Sequence, residues 1–322
     1  MNLKQFSLLN FLCRLLAVTV LISTSVAAQE SYIAVEAHSG KVILELSADT
    51  KRPVASLTKI ATAMVVLDWS DLSDSSMAEL AFVPLEASYL GGSNPMGMVP
   101  GDRISLRDAM YSMLLGSDNI AAYTLANHVG RSICVRNGLS RNPVDAFVGE
   151  MNNLAQAVGM TRTRFASPHG MDTARQRGLS TARDMARLGI YAMRHTGMQY
   201  YVKQKSRSIG SYRGNQRRGF KIANTHTLVG SLGINGIKSG STVLAGPCLA
   251  TSAVKPNIVE KMPNGSTRLT PRNLIVITLG SPNREARTQE LIKQGWERYE
   301  AWSRQGRPVA DSAREFIIVP KF

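Results

Sequence analysis

Cysteine is scarce in this chain. Three in 322 residues cannot build a disulfide scaffold. Histidine is nearly as rare, with five, and His38, His128, His169, His195 and His226 stand at spacings that match no metal-ligand pattern. Acidic residues are outnumbered, 23 against 38 lysines and arginines, so the formal net charge is +15 and the pI about 10.0. No apolar run reaches the roughly 20 residues of a bilayer-spanning helix, and neither an internal repeat nor a low-complexity tract is present. What remains is a globular chain. Hydrophobic residues make up 44%, which supports a sizeable core and excludes wholesale disorder. The length suits two domains or one large one.

The basic surplus suits an anionic partner, either nucleic acid, acidic lipid or an acidic polymer; it also serves solubility alone. The N-terminus narrows the choice. Lys4 and Arg14 precede the apolar stretch Leu15 to Ile22, and Ser25-Val26-Ala27-Ala28 offers small residues for cleavage. Residues 1–28 read as a secretory signal, too short to span a membrane, and Cys13 lacks a lipobox. An exported protein is a poor nucleic-acid binder, so nucleic acid is set aside; cell-wall polymer or anionic lipid fits better. The mature chain keeps Cys134 and Cys248. In an oxidising compartment these either pair or serve as small buried hydrophobes.

Two apolar stretches flank His38-Ser39-Gly40 and predict a hairpin over 31–47. Residues 56–69 are apolar nearly all round, the mark of a buried helix. From about 72 to 219 the pattern is mostly helical. Helices are expected over 106–115, over 119–129 with Gly130 as the stop, over 144–158 after Pro143, and over 181–194. Strand character returns over 234–243, 249–254 and 273–279, and a last helix covers 285–302. Strands at both ends imply a sheet in which the first and last strands meet, with a helical insertion. The tail, 303–322, holds one apolar patch, Phe316 to Val319.

Three short motifs carry the chemistry. In Ser56-Leu57-Thr58-Lys59, residues three apart share a helix face, so Lys59 can reach the Ser56 hydroxyl. Burial, or a second cation such as Lys238 nearby, lowers a lysine pKa into the range of a base. A bare helix start with a snorkelling lysine has the same spelling. Ser117-Asp118-Asn119 can supply a proton relay (Ser117) and an amide that binds substrate (Asn119), or simply cap a helix, the role expected of Asp118. Lys238-Ser239-Gly240 on a strand can hold a carboxylate through Lys238 and the Ser239 hydroxyl, with Gly240 allowing a peptide backbone to approach. Alone, it is also an ordinary strand edge. In this order, the three together provide a nucleophile, a base, a relay and a cationic clamp without histidine.

On these residues the chain resembles the low-molecular-weight penicillin-binding proteins of the D-alanyl-D-alanine carboxypeptidase type, from about Tyr32 to Trp302. Supporting stretches are Pro53 to Lys59, Ala166-Ser167-Pro168-His169-Gly170-Met171-Asp172, Ser180 to Ala186, and Asn224-Thr225-His226 ahead of Gly236 to Gly240. The resemblance implies an α/β, β-lactamase/transpeptidase-like fold: an antiparallel sheet from both chain ends, flanked by helices, with an inserted mostly helical domain. It implies a signal peptide (1–28), a catalytic domain (29–302, helical part about 72–219) and a short tail (303–322). Ser56 is then the nucleophile, Lys59 the base and Ser117 the relay. Asn119, Lys238, Ser239, Gly240 and Ser241 bind substrate, and the Ser56 and Ser241 amides form the oxyanion hole. No cofactor or metal is needed. The implied substrates are peptidoglycan pentapeptides or crosslinked stem peptides, with β-lactams as inhibitors, on the periplasmic or wall side of the membrane.

The family more often has threonine at Ser239. The chain closes soon after its last helix, as in anchor-less members, some of which are endopeptidases. Residues 203–221 contain Lys203, Lys205, Arg207, Arg213, Arg217, Arg218 and Lys221 and no acid, either an exposed hairpin or a grip on anionic wall polymer. His169 reads as a structural histidine in a turn. Two rivals share the trio. A class A β-lactamase needs a glutamate for deacylation, and Glu150 lies in a helical run without that enzyme's loop signature. An inactive penicillin-sensing or wall-binding protein is disfavoured because every reactive group is present.

Overall fold

The computed structural model describes residues 30–73, 76–172 and 177–320; the expected signal peptide lies outside them. Strand β1 (Ser31–Glu36) is buried on both faces. Ile33 and Val35 face one hydrophobic core and Ala34 the other, as the alternation of a strand requires. It turns through Gly40, at φ +78°, into β2 (Val42–Leu46), the expected hairpin. On its other side β1 pairs antiparallel with β9 (Thr267–Leu279), Ile33 opposite Ile277. The sheet order is β2-β1-β9-β8-β7, where β7 is Ile234–Thr242 and β8 is Gly246–Lys261. The first and last strands of the chain therefore meet, as expected, and β7 is left at an edge. Helix α7 (Arg284–Arg304) covers one face with Leu291, Trp296 and Tyr299.

The other face packs on a layer of helices, with Gly189 of the helix Ala182–Arg194 against Ile275 and Ile237. The layer begins with α1 (Lys59–Ser73), which follows a 3-10 turn, Ala55–Thr58. Side chains all round α1, including Ile60, Ala61, Met64 and Val66, are buried. Beyond it lie α2 (Leu106–Leu115), α3 (Asn119–Arg136), α4 (Pro143–Ala157), α5 (Ala182–Arg194) and α6 (Thr196–Val202). Side-chain caps start them: Ser105 accepts from Asp108 N, Asn142 caps with Pro143 at the first turn, and Thr181 accepts from Asp184 N.

Three expectations need correction. Helix α3 does not stop at Gly130 but runs six residues further, to Arg136. Gly130 is an approach point for α4, because a Cβ there would lie 2.0 Å from the Pro143 carbonyl oxygen. The stretch 72–219 is not only helical. It supplies β3 (Leu80–Phe82), β4 (Arg103–Ser105) and β5 (Ser206–Arg213), which join β6 (Gln216–Ala223) in a second sheet ordered β3-β4-β5-β6. Strands β8 and β9 extend well past 249–254 and 273–279 as a mostly exposed arm closed at Pro263-Asn264-Gly265. Among the described residues Cys134 and Cys248 are both free, Cys248 buried and Cys134 only partly so.

The apolar patch in the tail is used. Ile317 and Val319 are buried, Ile317 N donates to Gly40 O, and Lys41 pairs with Glu315. No helix among the described residues is long and apolar enough to cross a membrane.

Candidate active site

The turn Ala55–Thr58 holds Ser56 at the entrance to α1, with Ala55 itself in the left-handed region at φ +50°. Lys59 opens the helix and is fully buried. Its Nζ lies 2.9 Å from Ser56 Oγ, 2.7 Å from Asn119 Oδ1 and 2.7 Å from the His169 carbonyl oxygen. The Asn119 amide is oriented by its Nδ2, which donates to Gly91 O at 2.8 Å. Asn119 Oδ1 and His169 O can only accept. A neutral Lys59 therefore spends both N–H bonds on them, and its lone pair is left for the Ser56 hydroxyl. Burial favours that neutral form: it pulls the Lys59 pKa down to about 7, against the opposing pull of Asp118.

Ser117-Asp118-Asn119 divides between a helix cap and the surroundings of Lys59. Asp118 is the cap of α3, accepting from Ile120 N and Ala121 N at 2.9 and 3.0 Å and from Ser112 Oγ at 2.7 Å. Burial raises its pKa. Asn119 points the other way, to Lys59. Ser117 is half-buried in the left-handed region, φ +59°, and no hydrogen bond among the described residues ties its hydroxyl to Ser56 or Lys59.

Strand β7 brings the third motif alongside. A Cβ on Gly240 would sit 2.8 Å from Ser56 N and 3.2 Å from Leu57 N, so only glycine lets the strand pass this close to the turn. Lys238 is buried, donating to the Ser239 carbonyl at 3.0 Å. Burial, then the nearby Lys59 and Arg284 charges, push its pKa well below the ordinary lysine value. Ser239 Oγ donates to Thr225 Oγ1 at 2.8 Å. Ser241 follows on β7 and is exposed.

Two contributors escaped the sequence reading. Arg284, at the start of α7, donates to Gly240 O at 2.8 Å and Cys248 O at 3.2 Å, clamping β7 from behind. No motif spacing marks it. His169 acts through its backbone carbonyl. Its ring is structural, as expected: Nδ1 accepts from Met171 N, and burial pulls its pKa down to about 3, so it stays neutral. The next residue, Gly170, sits at φ +78° where a Cβ would lie 2.0 Å from Ala55 O. Gly170→Ala is therefore expected to cost roughly 2 kcal/mol or more and to slow acylation of Ser56. Gly219→Ala, at a position open to solvent, should change neither. Thermal melting and a β-lactam labelling rate measure both.

An alcohol, a buried amine held near neutral pKa, and a second buried amine thus share one cleft between sheet and helices, the layout of a histidine-free serine acyl-transfer site. The chain belongs to the D-alanyl-D-alanine carboxypeptidase family, whose sequence pattern matches residues 18–260. It is 31% identical over 280 residues to the D-alanyl-D-alanine carboxypeptidase DacA of Escherichia coli K12, covering 84% of this chain and 61% of that one. It is 32% identical over 225 residues to a D-alanyl-D-alanine endopeptidase of Pseudomonas aeruginosa, covering 69% and 66%. The crystal structure of the Streptomyces K15 DD-transpeptidase superposes with a TM-score of 0.69 at 26% identity, over 83% of this chain and 96% of that one. The α/β transpeptidase-like fold expected from the sequence is the fold observed. The chain spans about three-fifths of the length of the E. coli relative.

Proposed function

We propose that this protein is a serine DD-peptidase acting on peptidoglycan stem peptides, exported to the wall side of the membrane and acylated by β-lactams. The observation that carries the reading is the arrangement of contacts around Lys59. Two fixed acceptors consume its N–H bonds and leave the lone pair for Ser56. The Ser56 hydroxyl passes its proton to Lys59 as Oγ attacks the carbonyl between two D-amino acids. The Ser56 and Ser241 backbone N–H groups hold the developing oxyanion. Ser117 relays that proton from Lys59 to the leaving amine, giving up its own and taking the one on Lys59, as the scissile C–N bond breaks; water then hydrolyses the ester and frees Ser56.

Lys238 and the Ser239 hydroxyl bind the terminal carboxylate, with Asn119 against the substrate amide and Gly240 giving room for its backbone. A carboxylate arriving beside Lys238 supplies the counter-charge its buried amine lacks and favours its ammonium form.

Glu150 does not favour a β-lactamase, since its carboxylate accepts from Asn153 Nδ2, one turn along its own helix. The test is direct. The intact protein should gain the mass of one penicillin, slowly lost, and should release D-alanine from monomeric pentapeptide muropeptides or split crosslinked dimers. Absence of the adduct and of both cleavages would sink the proposal. Turnover of penicillin within seconds would assign it to the β-lactamases instead.

A further inference from the structure

The basic segment divides into two faces. In the β5–β6 hairpin, Ser211 faces Arg218 and Arg213 faces Gln216 on the inner side. The cations there are engaged: Arg213 lies 2.8 Å from buried Asp102, Arg218 lies 3.8 Å from the same carboxylate, and Arg207 stacks over the Tyr111 ring. Cross-strand pairs on the outer side are Ser208 with Lys221, Gly210 with Gly219, and Tyr212 with Arg217. Arg217, Gly219 and Lys221 are exposed, and no ion pair among the described residues involves Arg217 or Lys221. Arg103 adds a third cation, stacked 5.7 Å over Tyr212. Between Arg217 and Lys221 the strand bears no side chain at Gly219, while Gly210 lies beneath the Arg217 guanidinium, whose Nη2 stands 3.0 Å from where a Cβ would be. A Cβ on Gly219 would meet nothing within 4 Å.

Strand β6 runs on toward the site. Its inner side brings buried Ile222 against Gly116, next to Ser117, and three residues on, Thr225 bonds Ser239. An extended chain rises about 3.3–3.6 Å per residue, so Lys221 stands at most about 14 Å from Thr225. β6 is the last strand of its sheet, and its free edge is open to a long ligand.

We propose that the outer face of β5–β6 is a docking surface for the peptidoglycan polymer that carries the substrate stem peptide, held through carboxylates of neighbouring stems. The proposal rests on the DD-peptidase reading. Charge complementarity and continuity with the carboxylate clamp select this occupant. A membrane surface complements the charge but has no tie to the cleft.

The test uses the full chain with Arg217→Glu and Lys221→Glu combined. Its control is Lys261→Glu with Arg268→Glu, an equal charge change on the exposed β8–β9 arm. Binding to sacculi stripped of other polymers is measured from about 50 to 300 mM salt. The wild type and the control should bind alike and lose at least about tenfold in affinity across that range. The β5–β6 variant should bind at least about tenfold more weakly at low salt and cleave sacculi correspondingly more slowly. Its penicillin acylation and its cleavage of short soluble muropeptides should equal the wild type's.

Unchanged sacculus binding by the variant, salt-insensitive binding, equal loss in the control, or binding to anionic phospholipid vesicles but not sacculi would each overturn the proposal. Loss of the penicillin adduct in all three proteins would overturn the DD-peptidase reading alone, since sacculus binding is read independently.

Discussion

Ser56→Ala is expected to abolish the covalent β-lactam adduct and to lower stem-peptide cleavage by about four to six orders of magnitude. The size follows from the chemistry. Removing the nucleophile leaves only binding and oxyanion stabilisation, and an acyl-enzyme cannot form on a methyl group. The other groups should stay in place. Lys59 keeps its bonds to Asn119 Oδ1 and the His169 carbonyl, and Gly240 still packs on the turn backbone. Ser56 is only partly buried, so stability should move by no more than about 1 kcal/mol. Intact-mass measurement after penicillin treatment, together with a melting curve, reads both effects. An adduct of normal yield on Ser56→Ala would place the nucleophile elsewhere. A collapsed melting temperature is answered by Ser56→Cys, which keeps a side chain of similar size and a nucleophilic atom. A slow thioester on cysteine, absent from alanine, assigns the position.

The parts legible in the sequence were those fixed by short-range rules. Ser56 and Lys59 are one helical turn apart, so their contact follows from spacing alone. The hairpin at His38-Ser39-Gly40 and the helix start after Pro143 are likewise local. The meeting of the terminal strands followed from their placement at the two ends of the chain. Residues that act across long separations were not legible. Arg284 reaches Gly240 from 44 positions away, and His169 contributes a backbone atom, which carries no sequence signal. The β5–β6 hairpin was only half visible, because its inner face also carries cations, Arg213 and Arg218 beside Asp102 and Arg207 over Tyr111, and this breaks the apolar alternation that a single solvated face would leave. Gly130 misled for a related reason. The residue type that ends helices is also the one that lets two helices touch, and only the neighbour in space decides between the two.

Acylation should also carry a distinct pH signature. With the Lys59 pKa at about 7, the amine is the acting base only when deprotonated. The rate of acylation by a β-lactam should therefore rise close to tenfold per pH unit between about 5 and 6.5, then level off above about 8. The sign is opposite to that of a mechanism needing a protonated group near neutrality. Lys59→Gln keeps a hydrogen-bonding side chain, one atom shorter, but cannot accept a proton. It should slow acylation by about 10²–10⁴ and flatten the profile. Lys238 is the control, because burial, Lys59 and Arg284 also push its pKa down and the two amines interact. Lys238→Gln should preserve the rising limb while weakening substrates that present a carboxylate, and, by removing a neighbouring cation, it should move the inflection upward by less than about one unit. A profile already flat in the wild type, or one flattened by Lys238→Gln and not by Lys59→Gln, would exchange the roles of the two lysines. The distinction is chemical rather than positional: the base must give up its charge before the reaction, whereas the clamp needs its charge to hold a carboxylate.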